Sequence, residues 1–148
     1  MYRHILVPTD GSPLSLKAAK EAARLAKSHN AKITAFYVIP PYTAPHGEAM
    51  ILCPDLFSKA EYKKQTETYA SAALAKVEAE ARKEGVCVDQ TFATAEAPWK
   101  GIVDAAQSRH CDLIVMSSHG RRGLDHLLLG SETLKVLTHS KTPVLVCR

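Results

Sequence analysis

Long hydrophobic runs are absent from this sequence of 148 residues. No apolar stretch approaches the roughly 18 residues that a membrane-spanning helix requires. Residues 1–8 carry too short an apolar stretch for a secretory signal peptide and are typical of a first β-strand instead. The sequence therefore predicts a cytoplasmic protein that does not act at a membrane.

The net charge of the chain is small, and aromatic residues are few. The 19 lysines and arginines exceed the 15 aspartates and glutamates by only four, and no basic block is longer than two residues. Aromatic residues make up 6% of the chain and do not alternate with the basic ones. Because nucleic-acid binding needs a basic patch, often with stacking aromatics, these counts exclude nucleic acid as a partner.

The four cysteines, Cys53, Cys87, Cys111 and Cys147, form no Cys-x-x-Cys pair and no spacing typical of metal ligands. Two of them lie in or beside apolar, strand-like segments, where a reduced thiol packs as a small hydrophobic group. We therefore predict four free thiols, which fits a reducing compartment such as the cytoplasm.

Signatures of catalysis are missing as well. No Gly-Lys-Ser or Gly-Lys-Thr marks a Walker A loop, and no Gly-x-Ser-x-Gly marks a nucleophile elbow. The first-strand loop lacks the Ser-Gly-Gly cluster of pyrophosphatase-type ATP enzymes, and no His-x-Gly-His marks a nucleotidyl transferase. Residues 91–94, Thr-Phe-Ala-Thr, lack the aspartate that ends the third strand of a receiver domain. The sequence predicts a binding module rather than a catalyst.

What the chain does contain is an alternation of apolar and amphipathic segments. Strand-like runs lie at residues 4–7, 33–39, 86–93, 112–116 and 143–147, and helical periodicity covers residues 12–29, 58–84, the segment after Pro98, and 131–140. The alternating pattern at 86–93 predicts a half-solvated edge strand. The whole succession predicts an α/β fold, a doubly wound parallel sheet with helices on both faces, in one domain over residues 1–148.

Two loops have the composition of a ligand site. Residues 8–12, Pro-Thr-Asp-Gly-Ser, follow the first strand, and residues 117–123 follow the fourth, with Gly130 and Ser131 at the start of the last helix. Ligands of a doubly wound sheet bind beyond the carboxyl ends of its strands. Glycine lets the backbone approach a phosphate, and a helix N-terminus offers free N–H groups. The loops predict a phosphate site; the alternative is that these glycines serve the turns only.

At these residues the chain resembles the universal stress protein family, and the resemblance covers its whole length. The nucleotide motif of that family is Gly, two residues, Gly, nine residues, Gly and then Ser or Thr. Gly120, the nine residues 121–129, and Gly130 with Ser131 match it, whereas Ser117 stands at the first glycine position. The closing segment 142–146, Thr-Pro-Val-Leu-Val, matches too. The resemblance implies a single Rossmann-like, five-stranded parallel sheet of strand order 3-2-1-4-5 with four helices.

The resemblance also implies which residues bind the nucleotide, ATP or AMP. The implied set is Pro8, Thr9, Asp10, Val38, Met116, Ser117, His119, Gly120, Arg121, Gly130, Ser131 and Thr133. Within it, residues 8–10 are expected to line the nucleoside pocket, and residues 116 and 117 to lie near the ribose. The backbone of Val38 is expected to meet the adenine edge, while its side chain belongs to the core. His119 is a ligand-facing donor, and Gly120, Gly130, Ser131 and Thr133 hold the phosphates.

Two members of this set have a second interpretation. One interpretation of Asp10 is that it interacts with Mg²⁺ through the phosphates, and the other is that it only caps the first helix. One interpretation of Arg121 and its neighbour Arg122 is that they neutralise the phosphate charge, and the other is that they remain solvated in the loop.

The implied function is that of a dimeric regulatory module of the stress response, with an adenine nucleotide as its ligand and a regulatory protein as a further partner. The last strand is apolar and lies at a sheet edge, so we expect a homodimer through Val144, Leu145 and Val146. Two alternatives stay open. One is a nucleotide-free interaction module of the same fold, for which Ser117 is the clue, and the other is slow ATP hydrolysis or self-phosphorylation at Ser131 or a nearby hydroxyl.

Overall fold

Strands and helices alternate along the chain in the computed structural model, which describes residues 1–44, 58–120 and 129–148. The described elements are β1 (His4–Pro8), α1 (Pro13–His29), β2 (Lys32–Ile39), α2 (Lys59–Lys83), β3 (Val88–Thr94), α3 (Pro98–Ser108), β4 (Leu113–Ser117), α4 (Ser131–His139) and β5 (Val144–Cys147). The predicted strand–helix succession is confirmed, with β3 starting two residues later than the sequence pattern indicated.

The five strands form one sheet in the order β3-β2-β1-β4-β5, and every neighbouring pair runs parallel. This confirms the doubly wound fold and the strand order that the resemblance implies. All five residues of β1 and all five of β4 are buried, as expected for central strands covered on both faces. The chain order reverses between β1 and β4, and such a reversal opens a crevice at the carboxyl ends of the strands.

Local signals account for where the helices begin and end. Ser12 caps α1, because its side chain accepts the N–H of Ser15 and Pro13 follows at the first helical position. Ser58 caps α2 in the same way, accepting the N–H of Glu61 at 3.1 Å. Gly85, with a φ of 73°, follows the end of α2 in the left-handed conformation that glycine tolerates best.

The two faces of the sheet carry separate cores. Helices α1 and α2 cover one face with Ala22, Ala26, Leu74 and Val77 among the buried residues, while α3 and α4 cover the other with residues that include Ile102 and Val136. The small residues on α1 let that helix lie close to α2, which packs beside it. None of the helices that the structure describes has the length and apolar character needed to cross a bilayer.

Two aromatic side chains lie differently from the sequence pattern. Tyr69 lies one helical turn before the buried Ala73 of α2, yet it is 63% exposed, because the buried stripe of that helix begins only at Ala70. Phe92 alternates in phase with Val88 on β3 but is 42% exposed. Among the described strands β3 pairs only with β2, so it is the predicted edge strand, and its far end has little core to contact.

Candidate functional site

A cavity of about 690 Å³ lies at the carboxyl ends of β1, β2 and β4, beside the first turns of α3 and α4. Small-molecule sites are typically about 300–1,000 Å³. The predicted site residues that the structure describes all line this cavity: Pro8, Thr9, Asp10, Val38, Met116, Ser117, His119, Gly120, Gly130, Ser131 and Thr133. Arg121 and Arg122 lie outside the described residues. Residues up to 125 positions apart in sequence thus meet around one space.

Sequence reasoning missed several residues of the cavity wall, namely Ser15, Phe36, Tyr37, Pro40, Pro98, Ile102 and Glu132. Helical periodicity predicts a helix after Pro98, and Ile102 lies within it. Their second role at the cavity depends on how α3 packs against β2, which the periodicity of one helix does not contain.

One part of the cavity is apolar. Val38 and Pro40 at the end of β2 and Pro98 and Ile102 of α3 contribute side chains that have no hydrogen-bonding groups. We call this part, formed by these four residues, the apolar slot. A slot of this kind suits a flat ring system, which gains from leaving water.

The rest of the cavity wall is polar and comes from loops and a helix end. The β1–α1 loop contributes Thr9 and Asp10, the residues after β4 contribute His119 and Gly120, and α4 begins at the wall with Ser131. The first N–H groups of a helix lack intrahelical partners and attract anions. An amphiphilic ligand with a ring at one end and phosphate at the other matches this division.

The β1–α1 loop is held in place by its own side chains. Thr9 Oγ1 accepts the N–H of Gly11 at 3.1 Å and lies 3.1 Å from Ser15 Oγ. Asp10 Oδ1 accepts the N–H of Ser12 at 3.0 Å. The helix cap itself is the Ser12 side chain, so Asp10 is not the cap of α1, and its carboxylate remains part of the cavity wall.

Gly120 brings the two loops into contact. A Cβ atom at this position would lie 2.8 Å from Asp10 Oδ2, closer than a carbon and a carboxylate oxygen can approach. At Gly130 a Cβ would lie 3.2 Å from the Ser118 carbonyl oxygen and 3.5 Å from His119 Cα. The φ of Gly130 is −69°, so its backbone suits any residue, and only the tight space around the Cβ position favours glycine.

Ser117, which replaces the first motif glycine, uses its side chain inside the loop. Its hydroxyl donates to the His119 carbonyl at 2.7 Å. The Thr133 hydroxyl donates to the Ser117 carbonyl at 3.0 Å, and the N–H of Gly130 donates to the Ser118 carbonyl at 2.8 Å. The loop itself therefore provides the hydrogen-bond partner of the serine hydroxyl, and the side chain of Thr133 joins α4 to the end of β4.

His119 has one ring nitrogen in use and one without a partner. Nδ1 lies 3.1 Å from Ser118 Oγ, whereas Nε2 is buried and has no hydrogen-bond partner within the described part of the chain. Buried polar atoms are almost always paired in folded proteins. The hydrogen-bond partner of this nitrogen is therefore not among the described residues.

Glu132 connects the two helices that begin at the cavity. Ala97 precedes α3 without a side-chain cap, and Glu132 Oε2 accepts the N–H of Trp99 at 2.9 Å instead. The other oxygen, Oε1, pairs with Lys135 at 3.0 Å. The carboxylate is thereby directed to the first turn of α3, which limits its repulsion of an anion at the start of α4.

Metal binding by protein groups alone has no support in the described ranges. Over residues 1–44, 58–120 and 129–148 no group of three His, Cys, Asp or Glu residues is close enough to hold an ion. Asp10 offers a carboxylate beside Gly120 at the polar wall. Its role toward Mg²⁺ stays a prediction that depends on phosphate oxygens completing the coordination.

The fold and the cavity together define a class of protein, a doubly wound α/β domain with a ligand cavity at the switch point of its sheet. The model of the universal stress protein family matches residues 1–148. The chain belongs to this family.

Individual relatives align with this chain over its whole length or nearly so. The universal stress protein MJ0531 of Methanocaldococcus jannaschii is 35% identical over 151 residues, which cover 100% of this chain and 83% of that protein. The structure of the universal stress protein UspA from Lactobacillus plantarum is 30% identical, with a TM-score of 0.80 over 99% of this chain and 98% of that one. A crystal structure of a universal stress protein in complex with cAMP is 28% identical, with a TM-score of 0.73 over 99% and 97%.

Proposed function

We propose that this protein binds an adenine nucleotide, ATP or AMP, in the cavity and acts as a regulatory module of the stress response. The observation that carries the proposal is the division of one cavity into an apolar slot and a polar wall that contains the motif glycines. The related protein in complex with cAMP supports an adenine ligand.

In this proposal each part of the cavity binds a different part of the nucleotide. The apolar slot holds the base, with Val38 and Ile102 on its two sides, and Met116 and Ser117 lie beside the sugar. Gly120, Gly130 and Ser131 surround the phosphates, which the first N–H groups of α4 bind. Asp10 contributes a carboxylate to Mg²⁺ that arrives with the nucleotide.

Isothermal calorimetry of the purified protein with ATP and with AMP tests the proposal, together with mass spectrometry for a nucleotide that co-purifies. We expect saturable binding of at least one of the two nucleotides. A folded protein that binds neither at millimolar concentration contradicts the proposal and leaves the nucleotide-free interaction module. Incubation with labelled ATP separates binding alone from hydrolysis or self-phosphorylation at Ser131.

Replacement of Gly130 by alanine and by valine gives a graded test of the same site. A Cβ at this position already lies 3.2 Å from the Ser118 carbonyl oxygen, and the larger valine fills the space between His119 and the start of α4. We expect weaker ATP binding for Gly130→Ala and none for Gly130→Val. Because the φ of −69° suits both residues, thermal unfolding should show a retained fold. Unchanged affinity in a folded Gly130→Val protein would show that the phosphates lie elsewhere.

We further propose a homodimer through β5, a regulatory protein as its partner, and a cytoplasmic location. Leu145 of β5 is 42% exposed although it lies in an apolar strand, and Leu134 and Leu137 of α4 are 55% and 39% exposed. β5 pairs only with β4 among the described strands, so one of its edges is open to a second copy. The free thiols of Cys87, Cys111 and Cys147 are consistent with a reducing compartment.

A further inference from the structure

Gly101 lies inside α3, where glycine destabilises a helix relative to alanine. A Cβ atom at this position would lie 3.1 Å from Val38 Cγ2 and 3.1 Å from Ala95 Cβ. Both distances are shorter than ordinary van der Waals contact. The close approach of α3 to β2 therefore depends on the missing side chain at residue 101.

Val38 is the neighbour through which this contact reaches the cavity. It lies near the end of β2, is half-buried, and is part of the apolar slot. Ile102, the residue after Gly101, forms part of the same slot from α3. Val38 thus both contacts the position of the missing Gly101 side chain and lines the cavity.

An added methyl group at residue 101 can be accommodated by a shift of α3 or of one of the two crowded neighbours, Val38 and Ala95. Helix α3 is packed through Ile102 and Ala106 into the core under the sheet, and Glu132 of α4 holds its first turn. Moving the helix would disturb all of these contacts, whereas Val38 has empty space beside it. A packed interior resists displacement more than a side chain at a cavity wall does. The methyl group is therefore expected to displace Val38 into the slot.

We infer that Gly101 is a positioning residue that sets the width of the apolar slot through Val38 and so admits a two-ring base. This inference depends on the proposed nucleotide function for its ligand. A slot narrowed by Gly101→Ala loses more contact with a purine than with the smaller pyrimidine. The preference for AMP over CMP is thus predicted to depend on a residue that does not line the cavity.

The test compares AMP and CMP affinities by calorimetry for the wild type and for Gly101→Ala. We expect AMP affinity to fall about tenfold and CMP affinity to change less. Lys100→Ala, an exposed substitution one residue away on the same helix, should leave both affinities unchanged.

Two second-site substitutions test whether Gly101→Ala acts on the apolar slot through Val38 or through Ala95. Val38→Ala in the Gly101→Ala protein removes the crowded methyl groups and should restore the AMP preference to that of the Val38→Ala single variant. Ala95→Gly in the same background relieves the other crowded neighbour, which does not line the cavity, and should restore nothing. Recovery by Ala95→Gly, or none by Val38→Ala in a folded protein, overturns the inference.

A crystal structure of the Gly101→Ala protein decides the inference independently of any ligand. We expect Val38 moved toward the cavity with α3 in place. An unmoved Val38 beside a displaced α3 overturns the inference even if AMP binds. A wild type that binds no nucleotide, in contrast, overturns the proposed function, and the position of Val38 still shows whether Gly101 sets the slot width.

Discussion

His4 is a histidine buried in the central strand β1, and its environment opposes its protonation. It is 8% exposed, and its Nε2 lies 2.7 Å from Thr34 Oγ1. Burial, assisted by the charge of Lys32, lowers the pKa of His4 from its ordinary value of 6.5, while the carboxylate of Asp112 acts in the opposite direction. The unfolded chain restores the ordinary pKa, so the unfolded state takes up the proton first as the pH falls.

This difference predicts a pH-dependent free energy of unfolding. The contribution of His4 is fully present above about pH 6.5 and is lost as the pH falls through the lowered pKa of the folded state. Urea unfolding between about pH 8 and pH 5 measures it in the wild type and in His4→Gln, which keeps a hydrogen-bonding side chain that does not titrate. We expect a steeper decline in the wild type; parallel curves would assign the pH dependence to other groups.

We expect the cysteine thiols to differ in their reactivity toward disulfide reagents, because they differ in burial. Burial raises the pKa of the Cys111 thiol to about 11 and raises that of Cys147 as well, whereas Cys87 is exposed. Since the thiolate is the reactive form, a disulfide reagent at about pH 8 should label Cys87 well before Cys111 in the native protein.

Denaturation before labelling should release four thiols, one for each cysteine of the chain, including Cys53, which lies outside the described residues. Two or fewer in freshly purified protein would contradict the prediction of free thiols. Early labelling of Cys111 in the native state would show that the strand region around it opens more readily than its burial indicates.

At the scale of the elements, α3 depends on α4 for its N-terminal cap. The sequence marks Pro98 as the start of α3, yet Ala97 provides no capping side chain, and Glu132 supplies the acceptor from 33 residues away in sequence. Loss of a capping side chain typically costs about 0.5–2 kcal/mol. The stability of the cavity wall is therefore linked to a single contact between two helices.

Glu132→Ala should lower the free energy of unfolding by about 1 kcal/mol. Lys135→Ala is the matched control, because it removes only the surface ion pair to the same carboxylate and should cost less than about 0.5 kcal/mol. Urea unfolding followed by the fluorescence of Trp99, the single tryptophan, measures both. Equal losses in the two variants would show that the ion pair, rather than the cap, stabilises α3.

At the scale of the whole molecule, the sheet has two edges that differ in character. β3 carries mostly polar residues and is exposed at most of its positions, while β5 is wholly apolar in sequence. Exposed apolar side chains on α4 lie in the element before β5, which adds to the apolar surface at that end of the sheet. An open apolar edge is a site of association in folded proteins.

Leu145→Arg should convert the proposed dimer to a monomer, because an unpaired charge in a dry interface costs several kcal/mol. Phe92→Arg is the matched control on the other edge, since Phe92 and Leu145 are both 42% exposed in the protomer. Light scattering at micromolar concentration reads out the mass of each protein. A monomeric wild type, or a mass change in Phe92→Arg alone, would be evidence against an interface on β5.

The sequence by itself determined the succession of elements and the loops that carry the site. Ser12 with Pro13, the prolines after Ile39, and Gly85 act on backbone conformation within a few residues, so their effect is present before any tertiary contact forms. The same holds for the position of residues 8–12 and 117–120 at strand ends. The strand order was predicted from the resemblance to the family, because the periodicity of the sequence does not specify it.

Only the tertiary structure decided how these pieces meet. The contact of Gly120 with Asp10, the cap that Glu132 provides for α3, and the space that Gly101 leaves for Val38 each join residues more than 30 positions apart. Such distances of a few ångströms depend on how whole helices pack on the sheet, and local patterning does not specify that packing. The exposure of Tyr69 has the same origin, because a helical face is buried only where another element covers it.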